Sequence, residues 1–150
     1  MDRIAAQLKI AKGTLYLYFS SKQELFFACV DHGMNRLQEA VRQAGDTTDD
    51  PFERLARSIR AYLEFFANHP QYVELILQER AIFRDRKQST YLEHRAAARV
   101  RWRSFYEELI DAGRLRPDLN VEWIMDTLGN LVYGTMFTNH FSGRTTPVAD

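Results

Sequence analysis

DRIAAQLKIAKGTLYLYFSSKQEL, residues 2–25, carries two short helical patterns joined by a tight turn and followed by the cap of a third helix. In the first pattern Ile4, Ala5 and Leu8 form an inner face, and the small Ala5 allows close packing where two helices cross. In the second, Leu15 and Phe19 lie four residues apart and face inward. That leaves Lys12, Thr14, Tyr16 and Tyr18 on the outer side. This is the layout of a helix-turn-helix, whose second helix enters the major groove of DNA with its N-terminal side chains toward bases and phosphates. Lysine supplies charge to phosphates, and threonine and tyrosine hydroxyls bond phosphate oxygens without reading sequence. Lys22 stands at the start of the following helix, where its charge joins free backbone N–H groups to make an anion site.

Outward from this head, apolar residues recur at helical spacing almost throughout. Ser21-Lys22-Gln23-Glu24 reads as a capping box. It starts a helix expected to bury Leu25, Cys29, Leu37 and Val41 and to end near Gly45. After a polar loop, Asp50-Pro51-Phe52-Glu53 combines an N-cap, a proline at the first helical position and an acidic first turn. The face it introduces is Phe52, Leu55, Ile59, Tyr62, Leu63 and Phe66. Asn68-His69-Pro70 breaks that helix and begins a short one through Val73, Leu75 and Leu77. A helix from about Ser89 to Ala112 follows, ended by Gly113 with Pro117 beyond it. Asn120 caps the last helix, about Val121 to Phe141, which is apolar nearly all round and so needs partners on every side. Gly129 and Gly134 are expected to admit another backbone, and the last nine residues, SGRTTPVAD, to be disordered. The pattern is all-α: a DNA-binding region with its connecting helix over 1–45, and a helical body over 46–150.

Composition bounds the function. Hydrophobic residues make 45% and charged residues 27% of the chain, as in ordinary soluble globular proteins. The formal net charge of +0 gives no overall attraction for polyanions. The head has four basic residues against two acidic ones, and residues 46–150 have 14 against 16, a modest bias toward a DNA-facing end. The single Cys29 excludes an internal disulfide and reads as a small packed hydrophobe. No secretory signal or membrane span is evident, which makes the cytoplasm the expected compartment and a membrane partner unexpected. His32, His94 and His140 show no metal-ligand spacing, and no nucleophile–base pair or phosphate loop is present, so neither a metal, a cofactor nor an enzymatic activity is expected. Tyr62, Phe66, Trp102, Phe105 and Tyr106 either line an apolar pocket for a small hydrophobic or aromatic effector or form an ordinary aromatic core. Arg95, Arg99, Arg101 and Arg103, with Arg84, Arg86 and Lys87, are expected to be a solvated face paired with Glu93, Glu107 and Glu108.

The run Ile4, Ala5, Gly13, Thr14, Leu15, Tyr16, Tyr18, Phe19, Ser21, Lys22, Leu25 and Phe26 resembles the DNA-binding motif of the tetracycline-repressor (TetR) family of bacterial regulators. The resemblance implies a ligand-released repressor acting as a homodimer on a palindromic operator. It implies phosphate contacts from Thr14, Tyr16 and Lys22, with Lys12 and Leu17 or Tyr18 nearest the base edges. It also implies a dimer contact on the last helix, at Leu128, Leu131, Val132, Thr135 and Met136. Two positions depart from the family pattern. Lys9 stands where a turn glycine is usual and Ala11 where a Ser or Thr cap is usual, each costing on the order of 1 kcal/mol. The family also has a helix before the position of Asp2 and another after the last helix here. The expectation is therefore a fragment or a wrongly chosen start, with a truncated ligand-binding or interaction protein as the alternative to a DNA-binding regulator.

Overall fold

Local signals fix most of the helix ends. The computed structural model describes residues 1–143 as seven helices: α1 (Asp2–Leu8), α2 (Lys12–Tyr18), α3 (Lys22–Gly45), α4 (Pro51–Asn68), α5 (Pro70–Ile82), α6 (Thr90–Asp111) and α7 (Val121–Ser142). Ser21 Oγ accepts from Glu24 N at 3.0 Å, and Asp50 Oδ1 accepts from Phe52 N and Glu53 N at 3.0 and 2.9 Å. Ser89 Oγ and Asn120 Oδ1 accept from Leu92 N and Trp123 N, at 3.4 and 3.0 Å, to start α6 and α7. Each bond satisfies a backbone donor that the first turn of a helix leaves free. At the end of α6, Gly113 takes φ +68°, and Arg114 N reaches back to Leu109 O at 2.8 Å. The capping box is modified. Glu24 passes the cap residue and accepts from Ser20 N and Ser20 Oγ, at 2.7 and 2.5 Å. Ser142 closes α7 and Gly143 is its left-handed cap, so the expected disordered tail is helical at its start; its residues 144–150 lie outside the described residues.

The core forms where α3 meets α4, α5, α6 and α7. Val30, Met34 and Leu37 pack with Phe65, Phe66, Tyr72, Val73, Ile76, Tyr91 and Met136. The buried stripe of α3 keeps Leu37 of the expected set and otherwise runs through Val30, Gly33 and Met34. Cys29 is exposed rather than packed, and Leu25 and Val41 are only half-buried. Phe52 is likewise exposed, under the Arg114 guanidinium at 5.3 Å, while Phe65 takes its place inside. Within α3, Gly33 faces the Tyr72 ring so closely that a Cβ would lie 2.1 Å from Cε1.

A buried carboxylate organises the α5–α6 connection. Glu79 is 1% exposed, and its Oε1 accepts from Thr90 N, Thr90 Oγ1 and Arg86 Nη1 at 2.8, 3.0 and 2.9 Å. Arg86 also binds Glu93 at 2.9 Å and lies 4.4 Å over the Phe27 ring, joining this loop to the start of α3. The arginine-rich face is therefore not paired as expected, apart from Glu93. Arg99 binds Glu122 and Asp126 on α7, and Arg103 binds Glu122.

α7 is not enclosed within the chain. Only Met125 and Met136 are buried, whereas Trp123, Leu131 and Phe141 are 66%, 63% and 69% exposed. A Cβ on Gly134 would meet nothing within 4 Å, so among the described residues no other helix approaches it. Among the described residues, no helix is long and apolar enough to cross a membrane.

Candidate functional site

The head presents the residues the sequence singles out, but on a lightly packed support. Ala5 and Leu15 are buried against each other's helices, while Leu8 of the expected inner face is 59% exposed. Lys9 is left-handed, at φ 55° and ψ 39°, with Lys9 N and Ile10 N returning to Ala6 O and Ala5 O at 3.2 and 3.0 Å. This paired return satisfies the last carbonyls of α1 and sets its angle to α2, at the steric cost of a Cβ that glycine lacks. Ala11 offers no side-chain cap to α2. Tyr16, Leu17 and Tyr18 project outward at 46%, 83% and 75% exposure, Lys22 is exposed, and Thr14 is half-buried. Lys12 Nζ is held 2.9 Å from Asp2 across the turn, which lowers the Asp2 pKa and raises that of Lys12. Both groups are fully exposed, so a phosphate can compete for Lys12.

The body holds a cavity of ≈ 190 Å³ between α3, α4, α6 and α7. Tyr62, Trp102 and Tyr106 line it. Phe66 does not; it packs in the core, edge-on to Phe65 at 5.5 Å. Phe105 lines a neighbouring hollow instead. Three expected subunit-contact residues lie inward: Leu128 and Val132 are in the cavity wall, and Met136 is 2% exposed in the protomer's own core. Thr135 is half-buried with its hydroxyl donating to Leu131 O at 2.8 Å, which leaves Leu131 as the member of that set facing outward.

Polar wall residues were missed by the sequence reading. Tyr91, Arg95, Ala98 and Trp102 fall on one stripe of α6 at spacings of four, three and four, a signal obscured by the surrounding arginines. Tyr62 and Tyr91 share a hydroxyl–hydroxyl bond of 2.8 Å, and Tyr62 OH lies 3.6 Å from Met136 Sδ. His94 bridges the cavity to α3: Gln38 Nε2 donates to its Nδ1 at 2.8 Å, so Nε2 carries the proton donated to Asp31 Oδ1 at 2.6 Å. Both His94 and Gln38 line the cavity, so anything that displaces them acts directly on the helix that carries the head.

Burial pushes the phenols of Tyr62, Tyr91, Tyr106 and Tyr133 above their ordinary pKa of 10.0, Tyr62 well above it. An unfolded chain ionises these four tyrosines at about pH 10, and the folded chain holds their protons to higher pH. The stabilisation is therefore complete below pH about 10 and is lost as pH rises through the higher folded values. Denaturant midpoints should fall between about pH 9 and about pH 11, with phenolate absorbance from these four rings appearing at higher pH in the folded chain than in the unfolded one. Full phenolate absorbance from a still-folded chain would contradict their burial.

Two family profiles match the chain. The one described as "Bacterial regulatory proteins, tetR family" covers residues 1–29, and the one described as "Tetracyclin repressor-like, C-terminal domain" covers residues 48–135. The HTH-type transcriptional activator FasR of Mycolicibacterium smegmatis is 37% identical over 78 residues, covering 52% of this chain and 36% of that protein. The HTH-type transcriptional repressor KstR2 of Mycobacterium tuberculosis is 29% identical over 122 residues, covering 81% of this chain and 61% of the relative. The chain thus spans less than two thirds of the length of either. The solved structure of that ketosteroid transcriptional regulator, KstR2, aligns with a TM-score of 0.63 at 25% identity, over 91% of this chain and 68% of the other. A candidate fatty acid metabolism regulator of Clostridium perfringens shares the fold, with a TM-score of 0.70 at 20% identity over 95% and 77% of the two chains.

Proposed function

Since this chain belongs to the tetracycline-repressor (TetR) family, we propose that it acts as a DNA-binding transcriptional regulator, released from its operator by a small ligand with a hydrophobic or aromatic body. The observation that carries the reading is the row Tyr16, Leu17 and Tyr18 projecting from a helix that buries Leu15 on its other side. In this reading Tyr16, Thr14 and Lys22 hold phosphates, and Lys12, Leu17 and Tyr18 lie toward base edges. The effector occupies the body cavity. It acts on the head through α3, to which the cavity is tied by the Asp31–His94–Gln38 bridge. The ligand must prefer the released geometry, because equal affinity for both arrangements shifts nothing.

A homodimer completes the reading, with two heads over the half-sites of a palindromic operator. The outward row of α7, with Trp123, Leu131, Gly134 and Phe141, supports a self-complementary contact.

Titration against the DNA upstream of the chain's own coding region, at two salt concentrations, tests the function. The expected result is specific binding that weakens as salt rises. Tyr16→Phe and Lys22→Ala should each weaken binding similarly on cognate and unrelated duplexes, and Lys22→Ala should lower the salt slope by about 1. No specific retention at low salt would overturn the DNA-binding reading and favour a ligand-binding body that does not hold DNA.

A further inference from the structure

The charges on the cavity wall are unbalanced. Among the described residues, Arg95, Arg99 and Arg101 line the first cavity and no aspartate or glutamate does. Arg99 is neutralised from outside by Glu122 and Asp126, and Arg95 has an acceptor in Asn130 Oδ1 at 3.1 Å. Arg101, among the described residues, has no carboxylate partner and rests near the Trp102 ring at 6.0 Å. A second hollow of ≈ 320 Å³ adjoins the first, and Val41, Ser58, Arg101 and Trp102 line both.

Arg54 lines this second hollow. Its stem crosses Gly45 at the end of α3, where a Cβ would lie 3.3 Å from Arg54 Cγ. Its Nε is buried and has no hydrogen-bond partner among the described residues. A guanidinium held with a donor out of water and no acceptor is costly unless something else supplies the acceptor. The acids nearby do not. Asp46 and Glu108 also line this hollow, but Asp46 is engaged by Arg42 at 3.0 Å and Glu108 is exposed to solvent.

Resting on the ligand-released reading above, we propose that one amphipathic small molecule occupies both cavities, passing between them beside Trp102. Its apolar body lies in the first cavity against Tyr62 and Tyr106, and its anionic head group lies in the second, held by Arg54 and Arg101. The division follows the chemistry of the walls. An apolar body gains from leaving water for the first cavity, and an anion gains charge-assisted bonds only where cations lack partners.

Decanoate and decanol test this with one hydrocarbon chain and two head groups, titrated calorimetrically into the full chain at neutral pH. Decanoate should bind roughly tenfold or more tightly than decanol. Arg54→Gln and Arg101→Gln should each reduce that preference, and together remove it, with decanol affinity unchanged as the check that the cavity is intact. Arg95→Gln, at the other end of the cavity, should leave the preference in place. Equal binding of the two ligands by the unaltered chain overturns the head-group assignment while leaving the apolar cavity as the effector site. A preference that survives the double variant, or that disappears only with Arg95→Gln, also overturns it. Binding of neither molecule overturns the cavity as an effector site, and the head-group assignment with it.

Discussion

Gly33→Ala is expected to destabilise the fold by about 2–3 kcal/mol, although alanine is the better helix former. The methyl group would stand 2.1 Å from Cε1 and 2.3 Å from Cδ1 of Tyr72. Those atoms belong to a rigid ring that is 8% exposed and stacked on Phe65 at 5.5 Å, so the ring has no free space into which to turn. Relief requires α3 and α5 to separate, which disturbs Val30, Met34, Val73 and Ile76 in the same cluster. The effect should reverse sign when the ring is removed. Tyr72→Ala alone should cost about 3–5 kcal/mol, as other truncations of buried aromatic rings do. In that background Gly33→Ala should stabilise the chain by up to about 1 kcal/mol through helix propensity. Urea midpoints for the four chains of this cycle supply the measurement. A neutral or stabilising Gly33→Ala in the unaltered background would show that the two helices do not meet through this ring.

Gly33 also shows where sequence reading stops. Helix ends were legible because their causes are local: Ser21, Asp50, Ser89, Asn120 and Gly113 act within four or five residues of themselves. The head was legible for the same reason, down to the left-handed Lys9 and the uncapped Ala11. The register of α3 was not. A stripe through Leu25, Cys29, Leu37 and Val41 satisfies helical spacing, yet the buried stripe runs through Val30, Gly33, Met34 and Leu37. A glycine adds no hydrophobicity to a pattern, so its role as a seat for a distant ring is invisible until α5 is placed beside it. The cavity was half legible. Its aromatic members stand out in sequence, but Gln38, His94 and Arg95 look like solvated polar residues until α3, α6 and α7 are brought together. The acids that answer the α6 arginines were misassigned for the same reason, since Glu122 and Asp126 lie on another helix.

Leu131→Glu is expected to separate the proposed dimer into monomers and to lower operator affinity by about a hundredfold or more. Leu131 is 63% exposed near the middle of α7, on the same outward side as Trp123 and Phe141. In a contact between two copies related by a twofold axis, each substitution appears twice. Two carboxylates would therefore enter a desolvated surface opposite like charge, at a cost of several kcal/mol. The protomer itself should fold normally, because Leu131 belongs neither to the core cluster nor to the cavity wall. That separates the variant from Met136, whose truncation would damage the core directly. A monomer offers one head to the operator and loses the effective concentration that links the second half-site to the first. Sedimentation velocity reads the assembly, operator titration reads the affinity, and decanol binding confirms that the cavity survives. Binding to unrelated DNA at low salt should change far less than operator binding, since each head keeps Tyr16 and Lys22. A dimer that persists with glutamate at position 131 would place the subunit contact elsewhere on the body. A monomer with undiminished operator affinity would show that a single head suffices, and would remove the need for a palindromic site.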